Sequence, residues 1–103
     1  MIDLVADKLD EIRELCRKRG VTYLALFGSA ACDDFDPDRS DVDFLVKFGR
    51  EPEPRRFKTY LDLERDLRDP MGRPVDLAEY GAIRNPFFRR SVEGTKVDLY
   101  AEE

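Results

Sequence analysis

Residues 27–44 read FGSAACDDFDPDRSDVDF, with six aspartates crowded behind the pair Gly28–Ser29. Such a density of carboxylates admits three chemistries: a solvated acidic loop, a calcium loop, or an oxygen-lined site for hard cations and phosphate. Spacing separates them. Fourteen aspartates in 103 residues produce roughly two Asp-x-Asp triplets by chance, so a triplet alone carries little. Asp33, Asp34, Asp36 and Asp38 sit among turn formers and read as loop residues. Asp34, Asp36 and Asp38 also mimic positions 1, 3 and 5 of an EF-hand loop, but Arg39 and Leu45 stand where that loop needs glycine and a bidentate glutamate.

Asp41 and Asp43 differ in context. They open the apolar run DVDFLVKF. On a strand, residues i and i+2 share a face, about 7 Å apart. Two carboxylates side by side on a buried strand repel and resist desolvation, a cost that a hard cation removes. PVDLAEY places one more acid, Asp76, inside an apolar run, with Glu79 out of phase with it. If the two strands are neighbours, three carboxylates face one site, the ligand set of a two-metal phosphoryl-transfer centre. Mg²⁺ suits such oxygen donors. Gly28 permits close backbone approach to a phosphate, and a helical turn from Ser29 would aim its positive end at the anion.

The elements that must position these residues follow from periodicity. Leu4, Val5, Leu9, Ile12, Leu15 and Cys16 mark a helix over 3–19, closed by Gly20. VTYLALF (21–27) is a buried strand, followed by a loop with one helical turn near 29–32. The second strand covers 41–48, an amphipathic helix 55–68, and the third strand 74–80. Asn85 and Pro86 form a cap-and-N1 pair for a helix expected over 86–101, weakened by Gly94. The order α-β-β-α-β-α implies an α/β (α+β) fold with a mixed sheet of three or more strands packed with helices. The length fits a single domain, 1–103.

Bulk properties narrow the function. Net charge −5 and a pI near 4.8 disfavour direct nucleic-acid binding. Histidine is absent, which removes the usual general base and the Ser–His–Asp triad. Cys16 and Cys32 lack CxxC spacing, so neither a zinc site nor a disulfide framework is expected. No apolar run reaches the 18 or so residues of a membrane span, and the N-terminus lacks a signal-peptide core, so a cytoplasmic protein without a membrane partner is expected.

LFGSAACDDFDPDRSDVDFLVKF, with 11 residues between Ser29 and Asp41, resembles the signature of the minimal nucleotidyltransferases, the small MNT-type members of the DNA polymerase β-like superfamily. The resemblance extends to the preceding helix and the later VDL strand. It implies that Gly28 and Ser29 contact a nucleoside triphosphate, that Asp41 and Asp43 bind Mg²⁺ (two ions with Asp76), and that Asp76 assists a metal or deprotonates the attacking hydroxyl. It further implies ATP as substrate and an antitoxin role beside a HEPN-domain RNase toxin, silenced by AMP transfer to a tyrosine. A homo- or hetero-oligomer is compatible with that role. One departure stands out. Relatives favour arginine and glycine where this chain has Cys32 and Asp33, which removes a positive charge beside the phosphates. The alternatives are therefore a weakly catalytic or non-catalytic antitoxin that acts by binding its partner, and a nucleotide or metal sensor without transfer.

Overall fold

The computed structural model describes residues 3–31, 41–49 and 55–102. Asp33, Asp34, Asp36 and Asp38, Arg39, and the Cys32–Asp33 departure lie outside the described residues. The N-terminal helical stretch is split in two, α1 (Asp3–Asp7) and α2 (Leu9–Arg19). At the break the Lys8 N–H donates to Val5 O at 3.1 Å, a tightened turn. Val5 and Ile12, on either side, are both fully buried. Gly20 ends α2 in the left-handed conformation, φ 72°, as a C′ glycine does.

Strands β1 (Val21–Phe27), β2 (Val42–Phe48), β3 (Val75–Glu79) and β4 (Val97–Ala101) form one sheet in the order β3-β2-β1-β4. β1 is antiparallel to both β2 and β4, and β2 is parallel to β3. Helix α3 (Arg55–Met71) supplies the crossover between β2 and β3. It runs three residues beyond the expected end at 68 because Met71 is buried in the core; Gly72, at φ 63°, then ends it.

The sheet has two unlike faces. Leu24, Leu26, Val42, Phe44, Val46, Leu77 and Leu99 pack with Ile12, Cys16, Leu63, Leu67 and Met71 in the main core. Arg19 clamps the two helices over this face, donating from Nε to Asp66 Oδ2 at 2.8 Å and reaching Asp62 at 3.5 Å. The opposite face carries a smaller cluster of Ala25, Phe27, Leu45 and Val92, the last from α4 (Pro86–Thr95). Strand alternation assigns Asp43, between Val42 and Phe44, to this thinner side.

The expectation of a helix over 86–101 is corrected here. α4 stops at Thr95, and Val97–Ala101 is a strand. Val97 and Leu99 alternate with Asp98 and pack into the main core, the period of a strand rather than a helix. Without β4, the side of β1 facing away from β2 would be an unpaired edge. β4 fills it, and Glu102 N–H extends the contact to Thr22 O at 2.8 Å. The mixed sheet packed with helices is otherwise as the sequence implies, with this strand added to the element order.

Candidate active site

Two strands bring the acids together. The parallel register sets Asp43 directly opposite Asp76, on strands that neighbour at about 4.8 Å. Asp41 precedes β2 by one residue and shares Asp43's phase. Asp43 is half-buried, while Asp41 and Asp76 are exposed. Burial, then the Asp76 charge, then the Asp41 charge push the Asp43 carboxyl up to about 6. The Asp76 and Asp41 charges therefore both act on Asp43.

Gly28 closes the site from the other side. It begins a 3-10 turn, Gly28–Ala31, at the end of β1, and Phe27, just before it, pairs with Asp43 across the sheet. At φ 71° it occupies a region that side chains disfavour. A Cβ there would meet Asp43 Oδ2 at 2.4 Å, well inside van der Waals contact. The missing side chain therefore makes room for the carboxylate as well as for the turn. Ser29 is the second residue of the turn; its side chain lies outside what the structure describes.

Among the described residues no group of three acidic, cysteine or histidine side chains is drawn in closely enough to cage a metal. The convergence is one of backbone register and field. The donor chemistry nonetheless fits a hard cation: all donors are carboxylate oxygens, and the central one feels two like charges that a cation would offset. Of the residues singled out from the sequence, the structure brings Gly28, Asp41, Asp43 and Asp76 together. It leaves Glu79 out of phase with Asp76, opposite Val46.

Sequence reasoning did not find the neighbours of this site on α4. Phe88 meets Phe27 edge-on, ring centroids 6.1 Å apart, and α4 packs on the Gly28–Ala31 turn. The adjacent Phe87–Phe88 pair was the available signal, but only the fold shows which part of the sheet they approach. Further along the same face, Lys47 sits over the rings of Tyr23 and Tyr80 at 5.3 and 4.5 Å.

Comparison with known proteins identifies the family. The family model for the nucleotidyltransferase domain matches residues 9–99. Two proteins of Methanocaldococcus jannaschii, each named Putative protein adenylyltransferase, are 36% identical over 93 residues, which covers 82% of this chain and 91% of theirs. Among solved structures, one of a putative minimal nucleotidyltransferase superposes with a TM-score of 0.74 at 24% identity, covering 92% of both chains. A toxin–antitoxin with AMP-PNP gives 0.70 at 19%, covering 92% of this chain and 74% of the other. A Shewanella oneidensis complex of tri-AMPylated HEPN toxin with MNT antitoxin gives 0.65 at 17%, covering 93% and 71%. The chain belongs to the nucleotidyltransferase domain family.

Proposed function

We propose that this protein is a Mg²⁺-dependent antitoxin that transfers AMP from ATP to a tyrosine hydroxyl of a HEPN-type RNase toxin and thereby silences it. The observation that carries the reading is the opposition of Asp43 and Asp76 in the β2–β3 register, with Asp41 in phase and Gly28 against Asp43. The name adenylyltransferase borne by the Methanocaldococcus relatives supports AMP as the group transferred. The AMPylated toxin in the Shewanella complex supports the class of acceptor.

In this reading Asp41, Asp43 and Asp76 hold the metal ions, and Gly28 with Ser29 contacts the triphosphate. Bound Mg²⁺ would neutralise the phosphates and stabilise charge on the entering and leaving oxygens. The acceptor oxygen forms a bond to the α-phosphorus as the bond to the bridging oxygen breaks, and pyrophosphate leaves. The hydroxyl proton passes to a carboxylate, since the chain has no histidine. In this reading Asp76, exposed on the sheet's outer strand, takes that proton or assists a metal.

A second reading, neutralisation by binding without transfer, draws on one observation. Phe57 and Leu61 stand 59% and 48% exposed, one turn apart on α3. Phe57 also lines an apolar groove of about 390 Å³ with Leu77 and Ile83. One experiment separates the two readings. The protein is mixed with labelled ATP, Mg²⁺ and its genomic-neighbour protein, alongside Asp41→Ala/Asp43→Ala. Label on the partner that requires Asp41 and Asp43 is expected. Neutralisation without label, or equal neutralisation by the double variant, would replace transfer with binding.

A further inference from the structure

We infer that Phe88 is the stacking platform for the base of the nucleotide, and so sets the position of the α-phosphate over the carboxylates. This rests on the nucleotide reading above and names the part of the site that would recognise the nucleoside. The segment IRNPFFRR places Phe87 and Phe88 in the first turn of α4, 79% and 45% exposed. Large aromatic rings left in water on a small domain mark a surface with a ligand or partner to meet. Phe88 is held ready for one. Its backbone N–H donates to the Asn85 cap at 3.2 Å, next to the Phe87 N–H at 2.9 Å. Its ring leans edge-on against Phe27, with the planes 83° apart, and so keeps ring surface open to solvent.

Location selects the occupant. Phe27 is the residue before Gly28 and the cross-strand partner of Asp43. The open ring surface of Phe88 is thus one aromatic contact away from the strand end that carries the phosphate and metal residues. α4 packs on the turn that begins at Gly28, so a base reaching from a triphosphate seated there would come up against this helix. Stacking on an aromatic ring requires only a π-face, so a purine is held without hydrogen bonds to its edge.

The test is calorimetric binding of ATP and of inorganic tripolyphosphate, with Mg²⁺, to the intact protein and to Phe88→Leu, Phe88→Trp and Phe87→Ala. Leucine keeps apolar contact with Phe27 and removes the π-face. Phe87 points about 100° away around the helix and serves as the control. ATP affinity is expected to fall about tenfold in Phe88→Leu and to be kept in Phe88→Trp. Tripolyphosphate, which has no base, is expected to bind all four proteins alike, which also shows that each is folded. Equal ATP affinity in Phe88→Leu and wild type would overturn the platform. So would a loss in Phe88→Leu confined to neutralisation of the partner, which would assign the ring to protein docking. If wild type bound neither ligand, the nucleotide reading itself would fall, and the platform with it.

Discussion

At the scale of single residues, Asp43 and Gly28 are two halves of one arrangement. Asp43 rises to about 6 from an ordinary 3.8, so without metal the native state keeps a proton that the unfolded chain releases. Stability from this group is complete below about pH 4 and is lost as pH rises through 6. In metal-free buffer Asp43→Asn should therefore melt near wild type at pH 4 and higher than wild type at pH 7, and added Mg²⁺ should raise only the wild-type protein. Thermal scans at the two pH values check this. The same substitution should reduce transfer about 100-fold or more, read as label on the acceptor. Gly28→Ala combines a disfavoured φ with a carboxylate in the way, whereas Gly72→Ala has the φ alone, with nothing within 4 Å. Gly72→Ala should lose about 1 kcal/mol in urea and Gly28→Ala more, and only Gly28→Ala should also lose transfer. Equal activity in the two would break the link between Gly28 and Asp43. The acids of this site were legible in the sequence because period-2 phase and apolar flanks survive without a structure. The role of Gly28 as the neighbour that makes room for Asp43 was not, since it depends on a register between β1 and β2.

Among the elements, α4 and β4 matter most. Asn85→Ala removes the acceptor of two N–H groups and should cost about 1 kcal/mol. It should also loosen Phe88 from Phe27, seen as faster amide exchange confined to the first turn of α4. Leu99→Ala, which empties a buried position on β4, should cost about 2–5 kcal/mol by denaturant titration. The starts of α1, α3 and α4, the first three strands and the C′ glycine at 20 followed from local signals, while the break at Lys8 did not. The final strand did not. Val97–Ala101 is five residues long, and Gly94 alone is a weak stop. What makes it a strand is pairing with β1, more than seventy residues earlier, as in Leu24 with Tyr100. Local periodicity holds no record of that partner. The Pro70 within α3 hid the helix's last turn in a similar way, because burial of Met71 outweighed a residue that normally ends helices.

Over the molecule as described, α1, α2 and α3 load one side of the sheet and the short α4 covers the other, so the thick side supplies stability and the thin side presents the acids. Cys16 lies at the bottom of the thick side, fully buried, with its thiol pushed up to about 12 by that burial. In a Cys32→Ser variant, where Cys16 is the only thiol, labelling by a thiol reagent should be negligible in the native state and should accelerate in step with global unfolding across a denaturant series. Labelling without denaturant would mean that the main core opens locally. The order of the sheet has a further consequence during synthesis. β1 is made before α3, β3 and α4, and its second neighbour, β4, after them. While a ribosome completes the intervening chain, β1 holds a row of unpaired amides and carbonyls that any nearby extended peptide can occupy. The interval before Ala101 emerges is therefore when the nascent protein most needs a chaperone or an early-bound partner.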